Sequence, residues 1–187
     1  LMIGGIGVIV TTMASLVLAA AGVWLGGWVD GLIQRGIEAN LILPVIAIGV
    51  LFYAFYGYNL WLILSFIILL NIFGSPTKAF RAAFLQIREA AYIEAARTYG
   101  ASNWRIIWRY LIPRILPVMI PQIVTLIPNF VFLEATLAIF NISDPRYPTW
   151  GSVIYSALRY GASYGSRFWV LEPIALLLLT GVAFVLL

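Results

Sequence analysis

The sequence predicts an all-α polytopic membrane protein, and three observations predict it. Hydrophobic residues make up 63% of the 187-residue chain, and charged residues only 10%, against roughly 25% charged in ordinary globular domains. Mean hydropathy is +1.02. The eleven basic and seven acidic residues are also clustered, leaving long uncharged intervals. A chain of this size has too little interior to hide that much apolar side chain, so much of it must face a bilayer.

A charged side chain at mid-bilayer costs about 2.5–3.5 kcal/mol, so the uncharged intervals mark the crossings. Residues 1–29 carry no charge, and 1–25 is long enough to cross once. An apolar start also fits a signal peptide, but residues 1–25 lack a basic leader and a small-residue cleavage site leading into a soluble domain. The next uncharged interval, Ala39 to Thr77, holds 39 residues. As one helix it would run about 58 Å against a ~30 Å hydrocarbon core. It must fold back, and Gly57-Tyr58-Asn59 is the expected turn, giving spans at 40–56 and 59–74. Spans at 116–139 and 168–187 bring the expected total to five, in one transmembrane domain over 1–187. The chain starts at Leu1 and stops inside an apolar stretch at Leu187. That predicts a segment of a longer protein, with six spans in full length.

The stretch from Gly74 to Arg114 is different. It carries seven of the eleven basic residues (Lys78, Arg81, Arg88, Arg97, Arg105, Arg109 and Arg114), opposed only by Glu89 and Glu94. Nine charges in lipid would cost on the order of 25 kcal/mol, so 75–114 lies outside the core. Its Arg and Lys excess places it in the cytoplasm. Parity then makes loop 26–39 cytoplasmic and loops 57–59 and 141–167 external. The external 141–167 loop carries Asp144, Arg146, Arg159 and Arg167, a weaker bias. Ser75-Pro76 predicts a helix start, with Ser capping and Pro at the first position. Phe80, Phe84, Ile87 and Ala91 form an apolar stripe at helical spacing. Gly100 suits a C-terminal cap, Ser102 can cap a second helix, and Pro113 is expected to end it. An amphipathic helix on anionic headgroups is the plainer reading of this segment.

Composition also excludes function classes. Without Cys there is no disulfide, thiolate catalysis or thiolate metal site. Without His the usual general base and zinc ligand are gone. Gly4-Gly5-x-Gly7 has no preceding strand and reads as close helix packing rather than a nucleotide loop. No Gly-Lys-Ser/Thr occurs, so the chain itself is not expected to bind ATP, nor to be an enzyme.

Glu94-Ala95-Ala96, Gly100 and Pro113 resemble the EAA loop of prokaryotic ABC import permeases, whose pattern is E-A-A, three residues, G, nine residues, I-x-L-P. Tyr110 and Ile112 stand where Ile and Leu are expected. A second triplet, Glu89-Ala90-Ala91, puts Ala95 and Trp108 where Gly and Pro belong and does not fit. Gly26-Gly27-Trp28-Val29-Asp30 with Arg35, Leu43-Pro44, Leu133-Glu134-Ala135-x-Leu137 and Pro148-Thr149-Trp150-Gly151 are similar to the peptide/nickel (oligopeptide/dipeptide) permeases, most of all their C-type subunit. Phe140-Asn141-Ile142-Ser143 departs from that family's Gly-rich stretch after the fifth span. Glu38 and Asn40 stand where its third span begins with Asp.

The resemblance implies a coupling helix that docks on a cytoplasmic ATPase. Its candidate docking residues are Glu94, Ala95, Ala96, Arg97, Gly100, Ala101, Ser102, Arg105 and Pro113. A small Ala-Ala face permits close packing, Gly100 turns the chain, and Glu94 offers an anchoring charge. Arg97, Arg105 and Arg109 can instead snorkel toward lipid phosphates. The implied partners are a second permease in a heterodimer, two ABC ATPase subunits carrying ATP and Mg²⁺, and an external solute-binding protein. No cofactor is expected on this chain and no nucleic acid. The implied setting is the prokaryotic inner membrane, and the implied cargo is peptide-like or another small solute.

On the fifth span, Gln122, Asn129 and Glu134 are candidates for a path or gate. An intramembrane carboxylate is a functional hypothesis by default, but Glu134 can equally satisfy a hydroxyl partner between helices. Gln122 and Asn129 can equally join helices by hydrogen bonds. Pro117, Pro121 and Pro128 predict a kinked or unwound helix. The seven Trp, with Tyr53, Tyr56 and Tyr58, read as interfacial belts. An ATP-independent secondary transporter or channel is the alternative, but it predicts paired intramembrane charges and an internal repeat, and neither is seen.

Overall fold

A computed structural model describes residues 2–57, 59–160 and 168–186. Among these the regular structure is helical throughout: α1 (Met2–Leu25), α2 (Gly27–Ile42), α3 (Val45–Tyr56), α4 (Leu60–Ile72), α5 (Ser75–Arg88), α6 (Ala91–Thr98), α7 (Asn103–Ile106), a π-turn (Ile107–Leu111), α8 (Ile112–Ile139), α9 (Trp150–Arg159) and α10 (Phe168–Val185). A helix falls in each of the five expected span segments. Three runs are long and apolar enough to cross a membrane: Gly4–Leu25, Trp61–Arg88 and Ile107–Ile139. A fourth exists if α2 and α3, bent by 90°, form one broken span. Of the expected turn at Gly57-Tyr58-Asn59, Gly57 has φ +68, and Tyr58 lies outside the described residues, as does Arg167 of the external loop.

Four expectations are corrected. The loop expected at 26–39 is helix α2. Gly26 and Gly27 take φ of +60 and +54, so the chain reverses at once, and Ile33 and Ile37 give α2 a buried stripe at i, i+4. The helix bends at Leu43-Pro44 because proline lacks an N–H and disfavours helical geometry in the residue before it. The single helix expected from Ser75 to Tyr99 is two, separated at Glu89-Ala90, and Ser75 lies inside α5 rather than capping it. Pro113 does not end a helix. The π-turn before it, in which the Ile112 N–H donates to the Ile107 carbonyl, widens the coil where the Pro113 ring would meet the Arg109 carbonyl. Of the two forms expected for the fifth span, kinked or unwound, the unwound one is not found: α8 stays helical through Pro117, Pro121 and Pro128.

Over the described residues the chain divides into two compact units. One comprises Leu1–Val8, Leu43–Ile68 and Val124–Leu187. Here small residues set the spacing. A Cβ on Gly7 would lie 2.3 Å from the Phe130 ring, and one on Gly49 2.7 Å from Leu137. Gly151, at the start of α9, packs directly on the α8 backbone, where a Cβ would lie 2.6 Å from the Ala135 Cα. Helix α9 begins with a capping box: Thr149 accepts from the Ser152 N–H, and Ser152 Oγ accepts from the Thr149 N–H at 2.9 Å. The preceding loop is stapled by Arg146, whose Nη2 lies 2.6 Å from the buried Asp144 carboxylate. That carboxylate raises the Arg146 pKa above its ordinary value.

The other unit comprises Ile9–Ile42 and Leu69–Ile123. Its core joins Ala19 and Val23 of α1, Phe80, Ala83, Phe84 and Ile87 of α5, Ile93 of α6, Ile106 of α7, Leu111 of the π-turn and Ile115 of α8. Trp24 meets Phe84 edge-on at 5.5 Å. Asn40 donates to the carbonyls of Leu70 and Phe73 at 3.0 and 3.1 Å, fastening α2 to the end of α4.

Two helix ends share one capping geometry. After α6, the Gly100 N–H bonds to the Arg97 carbonyl and the Ala101 N–H to the Ala96 carbonyl, both at 2.9 Å, with Gly100 at φ +77. After α8, Asn141 and Ile142 repeat the pattern on Ala138 and Leu137 at 2.9 and 3.0 Å, with Asn141 at φ +64. Both are Schellman caps, which need a left-handed residue at the first position beyond the helix. The expected Gly-rich stretch is replaced by the side chain that best tolerates that conformation.

Two predictions follow from this packing. Gly151→Leu forces a side chain into the α8 backbone and should destabilise by at least about 1–3 kcal/mol, read as a lowered Tm of the purified protein in detergent; Asn141→Gly should leave Tm unchanged within error. At the other cap, Gly100→Val should cost about 1–2 kcal/mol, because a β-branched residue cannot hold the left-handed well, whereas Gly100→Asn should retain most of the stability; equal Tm values for the two would overturn the cap assignment.

Candidate functional site

The basic segment 75–114 builds an elbow. Helix α6 has only eight residues, too few to persist alone in water, so it depends on what it buries. Ile93 and Ala96 face the unit's core at 4% and 8% exposure. The opposite side, Glu94, Ala95, Arg97 and Thr98, is exposed, and so are Tyr99 and Gly100 beyond it. The Ala-Ala face expected at the docking surface is therefore divided: Ala95 is exposed and Ala96 packs inward. Ala101 is half-buried beneath the cap.

After the cap the chain turns into α7. Ser102 Oγ accepts from the Arg105 N–H at 3.4 Å, a long first-turn cap in the expected place. Ser102 and Arg105 are exposed. Tyr92 and Tyr110 stack at 6.0 Å between centroids, and the Arg114 guanidinium lies 4.0 Å from the Tyr92 ring centroid. These contacts tie α6 to the π-turn and the start of α8. Pro113 sits inside that continuous helical run and is exposed, one turn or more beyond the elbow. Among the described residues Glu94, Arg97 and Arg105 form no ion pair. The elbow thus presents one acid and two bases with their charges uncommitted, on a backbone fixed by the Gly100 cap.

The three candidates on α8 are not gathered. Glu134 is half-buried and faces a cavity of about 630 Å³ within its unit, lined also by Phe130, Tyr147, Thr149, Trp150 and Thr180. The Thr149 side chain lies beside its carboxyl, which supplies the hydroxyl partner that the structural reading requires. Asn129 is exposed and does not line that cavity. Gln122 belongs to the other unit, is half-buried, and is already engaged with a neighbour.

Sequence reasoning missed one feature of the second unit. Asp30 of α2 accepts from Arg81 of α5 through both oxygens, Nε to Oδ1 at 2.7 Å and Nη2 to Oδ2 at 2.6 Å. The partners are 51 residues apart, and no local pattern pairs them. The one available signal was that Asp30 is the first charge in the chain, at the edge of an apolar span. Arg88 of the same helix donates to the Val23 carbonyl.

Residues 11–187 match the family described as the binding-protein-dependent transport system inner membrane component. The chain is 27% identical over 166 residues to a putative peptide transport system permease protein of Brucella suis, an alignment covering 87% of this chain and 54% of that protein. It is 34% identical over 110 residues to a peptidoglycan transport system permease protein of Agrobacterium fabrum, covering 57% and 29%. A dipeptide transport system permease protein of Lactococcus lactis is 29% identical over 134 residues, covering 70% and 38%. The chain spans about half the length, or less, of these curated relatives. With all but its first ten residues inside that match and its described regular structure helical throughout, the chain belongs to the family of binding-protein-dependent transport system inner membrane components.

Proposed function

We propose that this chain is part of the transmembrane permease subunit of an ATP-binding-cassette importer for peptide-like solutes in a prokaryotic inner membrane. It crosses the bilayer five times, through α1, α3 with its approach from α2, α4, α8 and α10. It pairs with a second, related permease around a path, rests on two ATPase subunits that bind ATP and Mg²⁺, and receives cargo from an external binding protein. The names of the relatives support a peptide cargo.

The observation that carries this reading is the elbow over Glu94–Arg105. Its apolar side is built into the core of its own unit, and its charged side, with the 90% exposed Tyr99, forms no ion pair among the described residues. A surface held that rigidly with its ions unpaired favours docking over snorkelling. Lipid-held arginines would not need Gly100 capped at a fixed angle, nor an acid at Glu94 among them. In the proposed cycle ATP closes the ATPase pair, the elbow moves with it, and the helices shift between inward-open and outward-open packings. The chain contributes mechanically, converting a difference in docking energy into a population shift. Pore-side roles for Gln122, Asn129 and Glu134 remain part of the proposal, with Glu134 the strongest because it lines the cavity of about 630 Å³ in its unit.

Purification of the full-length protein from its native membrane should recover an ATPase subunit. Glu94→Lys should lower that recovery about tenfold, equivalent to about 1.4 kcal/mol of contact energy, and Gly100→Pro should abolish it. Recovery of the ATPase at parental levels with both variants would reject the elbow as the docking site.

A further inference from the structure

Movement of the elbow must reach the membrane helices through its own unit, and that unit holds one fixed joint among the described residues. Helix α5 leads directly into α6, with only Glu89-Ala90 between them. It also lies against the turn between α1 and α2. That turn is tight: a Cβ on Gly22 would lie 3.0 Å from Asp30 Oδ1 and 3.3 Å from Ile33, so α1 and α2 approach at glycine distance.

Two arginines of α5 grip this turn. Arg81 forms its two-point fork with Asp30 in the first turn of α2. Arg88, about 10 Å further along the helix, donates to the carbonyl of Val23. Val23 lies in the last turn of α1, where carbonyls have lost their intrahelical donors. The apolar seam beside these bonds, Phe80, Phe84 and Ile87 against Ala19 and Val23, is non-directional and permits sliding. A planar guanidinium fork fixes angle and distance together, and the second bond prevents rotation about the first.

We propose that the Asp30–Arg81 fork, backed by Arg88 on Val23, is the transmission joint that carries displacement of the elbow into α1 and α2. This rests on the importer reading. Asp30, Arg81 and Arg88 are positioning residues, acting through the helices they join rather than on cargo or nucleotide.

The test uses the full-length protein in its assembled complex, reconstituted in vesicles, with every native cysteine removed and one introduced by Thr12→Cys. Thr12 is a buried position on α1, 1% exposed. Labelling by a small methanethiosulfonate reports movement of α1. In the parent, trapping with ATP and vanadate should change the labelling rate about fivefold or more. Asp30→Asn and Arg81→Met should each shrink that change below about twofold while the ATPase still co-purifies and hydrolyses ATP. The charge exchange Asp30→Arg with Arg81→Asp should restore it, which a generally misfolded protein would not permit. Single variants that keep the full ATP-driven change, or that shed the ATPase and are not rescued by the exchange, overturn the joint while the docking result with Glu94→Lys still stands. A parent complex that recovers no ATPase overturns the importer reading, and the joint with it.

Discussion

The high cost of an unpaired charge in hydrocarbon orders this molecule. With so few ionisable groups in so apolar a chain, each must be excluded from the bilayer, paired, or displayed. Asp144 is buried and satisfied by Arg146 within a short loop. Asp30 is met by Arg81 across 51 residues of sequence. At the elbow Glu94, Arg97 and Arg105 are displayed without an ion pair among the described residues, as are the exposed Arg35, Glu38, Lys78 and Arg109 elsewhere. Unpaired ions on a rigid surface are what a charged partner can use, whereas the paired ions serve the fold.

Helix α6 joins the two roles. It is too short to hold itself, so its shape is inherited from Ile93 and Ala96 in the core and from the cap at Gly100. The surface offered to a partner and the packing that includes α1 and α5 are two sides of the same eight residues. In the proposed importer, a force applied to the outer side is felt by the inner side without an intervening flexible linker.

Much of the fold was legible because charge and hydropathy act locally. The five apolar segments each hold a helix, the basic segment is helical too, and Gly100 caps where a left-handed residue was expected. The errors lie where backbone detail decides. Asp30, Arg35 and Glu38 signal water and so a loop, whereas the buried Ile33 and Ile37 stripe makes α2 a helix. Pro113 signals a helix end, because the widening of the preceding turn leaves no trace in residue type. At the elbow, residue identities do not give the facing of side chains, and Ala96 packs inward while Ala95 is exposed. Asn129 and Glu134 share a helix, yet of the two Glu134 lines the cavity of about 630 Å³ and Asn129 does not. The Asp30–Arg81 fork could not be read at all, since pairing at long range depends on the assembled packing.

The cap at Asn141 has a consequence for how such chains are compared. A position that must adopt one particular backbone basin imposes a shape rather than a letter, and more than one residue type satisfies it. Asparagine in place of glycine at such a corner is therefore a silent change in geometry. A search that weighs identity alone will count it as divergence, and so will underestimate how closely two permeases agree at the very corners that direct their chains.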